Sequence, residues 1–119
     1  MAKTILIVDD HASFRECARS LLEAEGFEVV GEAENGVAAL RLAAEVHPEV
    51  VLLDVQLPDF DGFEVADRLR KLDPPPEVVL TSSRDDYAAL VDASAARAFV
   101  RKDELSGDTL ASALAARTR

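Results

Sequence analysis

The sequence predicts an α/β protein: a doubly wound, five-stranded parallel sheet with helices on both faces. Three observations predict it. Strand-type runs and helical stripes alternate strictly, βαβαβαβαβα, within 119 residues. The connections between them are short, which favours parallel strands joined by right-handed crossovers. The run Val50 to Leu53 shows no polar alternation, the signature of a strand covered on both faces.

Each element has its own signal. Thr4 to Val8, "TILIV", is a β-branched apolar strand that stops at Asp9-Asp10. Phe14, Cys17, Ala18, Leu21 and Leu22 then recur at helical spacing, and the helix ends near Gly26. On this stripe Cys17 is expected to be a core thiol. "EVVGEA" (28–33) is a more polar strand, closed by the turn pair Asn35-Gly36. Val37, Leu40 and Ala44 mark a second helix, stopped by His47-Pro48. "EVVLLD" (49–54) is the third strand. Phe63, Ala66 and Leu69 mark a third helix, broken at the triple proline 74–76. "EVVLTSS" (77–83) is the fourth strand, an Ala-rich helix is expected at about 85–95, and "RAFVRK" (97–102) is the fifth strand. Leu105, Leu110, Ala113 and Leu114 carry the last helix. One domain over residues 1–119 is expected, without linker or repeat.

Composition narrows the function. Thirteen basic against 23 acidic residues give a net charge of −10, which argues against direct nucleic-acid binding. The single Cys17 and two histidines disfavour a disulfide or a zinc cluster. The N-terminus turns acidic too soon for a signal peptide, and no apolar run approaches a membrane span. A cytoplasmic location is expected. The internal "KDEL" (102–105) is no retention signal, because that signal is read at a C-terminus.

The polar residues that end the strands form a pattern. Strand one ends in Asp9-Asp10, strand three in Asp54, strand four in Thr81-Ser82 and strand five in Lys102. In a parallel sheet these share the carboxyl edge, where ligands of this architecture sit. Taken singly, Asp10 reads as a helix N-cap, Asp54 as a turn residue, and His11 and His47 as surface or cap residues. Together, three carboxylates at one edge repel unless a cation joins them. Oxygen donors favour Mg²⁺.

With those residues in view, the chain resembles a response-regulator receiver domain (CheY-like, two-component signalling). The resemblance spans essentially the whole sequence. It is carried by "ILIVDD" (5–10), "VVLLDVQLPDFDG" (50–62), "VVLTS" (78–82) and "FVRKDEL" (99–105). It implies a flavodoxin-like sheet of strand order 2-1-3-4-5. It implies that Asp54 is the phosphoacceptor, and that Asp9, Asp10, Asp54 and the backbone carbonyl of Gln56 hold Mg²⁺. Thr81 would bond the phosphoryl group, with Ser82 as the alternative in register, and Lys102 would pair with its oxygens. Pro58 and Gly62 shape the loop. By the same resemblance Phe99 would be the aromatic switch, and Tyr87 and Arg101 would belong to the output surface. The phosphoryl donor implied is a sensor histidine kinase or a phosphotransfer protein. Output would pass to a protein partner or through a phosphorylation-dependent homodimer, with no enzymatic activity beyond the domain's own phosphorylation and dephosphorylation. Asp103 departs from the proline that many receivers have there.

Alternatives remain within the resemblance: a phosphorelay intermediate, or the receiver half of a truncated helix-turn-helix transcription regulator. A haloacid-dehalogenase phosphatase also uses a strand-end aspartate. It requires an acid two positions later, where this chain has Gln56.

Overall fold

The computed structural model describes residues 3–83 and 98–115. Strands β1 (Thr4–Val8), β2 (Glu28–Ala33), β3 (Val50–Asp54), β4 (Glu77–Ser82) and β5 (Ala98–Arg101) form one sheet of order β2-β1-β3-β4-β5. Every neighbouring pair is parallel. The chain moves outward one way from β1 and the other way from β3. The crevice between their carboxyl ends is the switch point where such folds place ligands.

Side-chain parity divides the core. Ile5, Ile7, Val50, Leu52, Val79 and Val100 face one side, against Ala18 and Leu22 of α1 (Ala12–Ala24) and Leu110 of α4 (Gly107–Ala115). Leu6, Val8, Val51, Leu53, Val78 and Leu80 face the other. There they meet Ala39 and Ala43 of α2 (Gly36–Val46) and Val65, Ala66 and Leu69 of α3 (Gly62–Leu69). Both faces of β3 are therefore apolar, as its unbroken run requires.

Three details differ from the periodicity. Helix α1 packs through Phe14, Ala18 and Leu22, an i, i+4, i+8 row. Cys17 and Leu21 stand one position back along the helix, turned outward and exposed. Cys17 is thus a surface thiol and not a core one. Helix α2 buries Gly36, Ala39 and Ala43 and leaves Val37 57% exposed. Small residues win there because the helix starts against the loop after β3: a Cβ on Gly36 would come within 2.6 Å of the Phe60 ring. Strand β5 ends at Arg101, so Lys102 opens a 3₁₀ turn (Lys102–Glu104), and Leu105 is buried ahead of α4. The expected helix at 85–95, with Tyr87 and Leu90, lies outside the described residues.

Candidate functional site

Parity builds the site. Asp54 continues the row of Val50 and Leu52, Thr81 that of Val79, and Asp9 that of Ile5 and Ile7. Asp54 and Thr81 are register partners across β3 and β4. All three side chains thus leave the sheet edge on the α1/α4 side. Asp9 and Asp54 are both buried. The Asp9 amide donates to the Ala33 carbonyl at 3.0 Å, which prolongs the β1–β2 pairing by one residue and fixes that carboxylate.

Lys102 reaches back from the other end of the sheet. Its ammonium lies 2.5 Å from Asp9 Oδ2 and 3.5 Å from Asp54 Oδ2. It also stands 4.7 Å over the Phe14 ring, a cation–π contact from α1. The Asp9 pairing is ionic, and the buried Asp9 Oδ2 makes no hydrogen bond. Arg15 donates to the Asp9 carbonyl at 2.6 Å and to Glu32 at 3.1 Å, tying the Asp9 backbone to β2.

The electrostatics follow from this crowding. Burial, then the nearby Asp9 charge, push the Asp54 carboxyl from 3.8 up to about 6, against the pull of Lys102 and the Gln56 amide. Asp10 and His11 are exposed at the mouth. His11 Nδ1 is 3.0 Å from Asp9 Oδ1 and 3.1 Å from Asp10 Oδ1. Asp9, Asp10, His11 and Asp54 can each present one donor atom within 4.8 Å of all the others. That spread is close to the span of about 4.2 Å between opposite donors of an octahedral ion with bonds of about 2.1 Å. A cavity of about 240 Å³ opens here, lined by Asp54, Gln56, Pro58, Ser82 and Lys102 among others.

The loop after β3 is held from both ends. Asp59 accepts the Gly36 and Val37 amides at 2.7 and 3.0 Å, capping α2. Gly62 opens α3 so close to the strand that a Cβ would lie 2.5 Å from the Asp54 carbonyl oxygen and 2.7 Å from Val55 Cα. Only glycine permits that approach.

The sheet brings Asp9, Asp10, Asp54 and Lys102 together. Thr81 sits beside them, but its buried hydroxyl lacks a hydrogen-bond partner, and Ser82 rather than Thr81 lines the cavity. Phe99 is half-buried against the α2/α3 side of the core. Arg101 grips Asp103 with two hydrogen bonds of 3.1 and 2.8 Å, which gives the residue in the usual proline position a local partner. Tyr87 lies outside the described residues. Sequence reasoning missed Phe14, Arg15 and His11 as neighbours of the site. His11 carried a signal, following the Asp-Asp pair directly. Phe14 and Arg15 did not, because their reach depends on where α1 crosses the sheet.

The molecule is a doubly wound α/β domain with acids at its switch point, joined by a lysine that follows the last strand. Residues 5–114 match the response regulator receiver domain family, and the chain belongs to it. It is 41% identical over 106 residues to the transcription regulator BvgA of Bordetella pertussis, covering 87% of this chain and 51% of that protein. The chain thus spans about half the length of that regulator. It is 37% identical over 89 residues, 75% of each chain, to the chemotaxis protein CheY of Listeria monocytogenes. Among solved structures it resembles the signal receiver domain of the response regulator NarL from Mycobacterium tuberculosis. That likeness has a TM-score of 0.83 and 34% identity, covering 95% of this chain and 97% of that one.

Proposed function

We propose that this domain is phosphorylated on Asp54 in a Mg²⁺-dependent reaction and passes the change to a protein partner. The carrying observation is the Lys102 ammonium held between two buried carboxylates, Asp9 and Asp54. At 3.5 Å from Asp54 Oδ2 it is within reach of a charge carried on that carboxylate, which supports the reading.

Asp9, Asp10, Asp54 and the Gln56 carbonyl would hold the ion. Bound there, Mg²⁺ supplies charge neutralisation to the oxygens of the group in transfer. Asp54 attacks phosphorus with one carboxylate oxygen. The P–N bond to the donor histidine breaks, and its electron pair stays on the imidazole nitrogen, which takes up a proton. Lys102 moves its pairing from Asp9 to the new phosphoryl oxygens. The partnerless Thr81 hydroxyl turns to the same group, and Phe99 takes up the space it leaves. Arg101 and Tyr87 belong to the surface that reads the change.

The donor in this reading is a sensor histidine kinase or a phosphotransfer protein, in the cytoplasm. The domain acts on itself alone. With a net charge of −10, it would regulate a DNA-binding partner or a second copy rather than touch DNA. The likeness to half of a transcription regulator favours that form of output over a relay.

The test is intact-mass spectrometry after acetyl phosphate and Mg²⁺. One base-labile phosphoryl adduct is expected on the wild type and none on Asp54→Asn. A full adduct on the variant would place the acceptor elsewhere.

A further inference from the structure

We propose that His11 is a nitrogen donor to the cation of this site, tilting its selectivity from Mg²⁺ toward first-row transition-metal ions. The inference rests on the Mg²⁺-dependent reading above and extends it to the identity of the ion.

The distances come first. Cis donors around an octahedral ion with bonds of about 2.1 Å stand roughly 3.0 Å apart, the bond length times √2. His11 Nδ1 lies 3.0 Å from Asp9 Oδ1 and 3.1 Å from Asp10 Oδ1. The ring nitrogen, hydrogen-bonded to Asp9 Oδ1, thus stands at cis-donor spacing from both oxygens, and Asp54 brings a further oxygen within 4.8 Å of all of them.

The ring is also held in place. His11 is the N-cap residue of α1, with extended backbone. Its amide donates to Asp9 Oδ1 at 2.8 Å, closing a tight turn around that carboxylate. A second observation stands beside this: Asp9 Oδ2 is buried and makes no hydrogen bond, and its charge is met by the Lys102 ammonium.

The donor type sets the preference. Carboxylates and carbonyls suit Mg²⁺, whereas an imidazole nitrogen adds affinity for transition ions and little for Mg²⁺. His11 remains 66% exposed, so it can enter the shell without repacking the core.

Mn²⁺ is the probe, because its unpaired electrons report nitrogen in the first shell. Pulsed electron paramagnetic resonance of wild-type protein with Mn²⁺ should show a directly bound ¹⁴N, absent in His11→Ala and in His11→Asn, which retains capping ability. The Mg²⁺ concentration that displaces bound Mn²⁺ should fall about tenfold in both variants, while Mg²⁺ affinity changes less than about twofold. Bound Mn²⁺ without a ¹⁴N coupling, with one displacement curve for all three proteins, would overturn the proposal and leave the Mg²⁺ reading standing. Failure of the wild type to bind either ion would overturn both.

Discussion

Replacing Asp54 with asparagine should stabilise the metal-free domain, and by an amount that depends on pH. In the folded chain, burial and Asp9 raise the Asp54 carboxyl from 3.8 to about 6. The difference is about 2.2 pH units, equivalent to roughly 3 kcal/mol between the two protonation states. The side chain is only 5% exposed, yet it borders an open cavity, so solvent screening brings the expected effect to about 1–2 kcal/mol. The sign follows from the raised value. The carboxyl favours the folded state while protonated, below pH 3.8. That contribution is lost as pH rises through about 6, where the charge must stay buried near Asp9. Asparagine carries no such charge. About two thirds of that penalty falls between pH 4.5 and 7.5, so its advantage over the wild type should grow by about 1 kcal/mol across this range, or a few degrees in Tm. Urea unfolding followed by far-ultraviolet circular dichroism, with EDTA present, measures it at both pH values. Any constant cost of the amide cancels in that comparison. A stability difference that stays flat across this range would refute the reasoning, because it would show that ionised Asp54 is not penalised.

Three further outcomes follow from the same geometry. Lys102→Met removes the cation between two buried carboxylates, so it should cost about 3 kcal/mol of folding stability without metal. Millimolar Mg²⁺ should restore part of this, and an unchanged melting curve would show that the ion pairs contribute nothing. Gly62→Ala drives a methyl group into the Asp54 carbonyl and Val55. It should destabilise by about 2 kcal/mol and reduce the phosphoryl yield on Asp54, as unfolding curves and intact mass would report. Cys17 is exposed and should react with a thiol reagent in the native state as fast as in urea, whereas slow labelling would return it to the core.

The sequence by itself determined the order of the described strands and helices and which residues gather at the candidate site. Alternation of strand and helix signals fixed a parallel sheet. The position of Asp9, Asp10, Asp54 and Lys102 at strand ends was enough to put them at one edge, because every parallel strand delivers its last residue to the same side. Local pattern marked Asn35-Gly36 as the turn that closes β2, and the structure adds that Asn35 caps α2, its side chain accepting the Ala38 amide. Tertiary structure alone decided which helix positions lie inward. Cys17 and Val37 are apolar and correctly spaced, but a helix turned by one residue exposes them, and the turn is set by what packs beneath. Ala39 and Ala43 are the buried alanines of α2, and Ala18 and Leu22 are the buried residues of α1. The same docking brings Phe14 under Lys102 and Arg15 onto the Asp9 carbonyl, contacts no periodicity encodes. The raised Asp54 carboxyl is likewise a tertiary property: it comes from burial and from a charge 45 residues earlier in the chain, brought beside it by β1 and β3 pairing at the switch point.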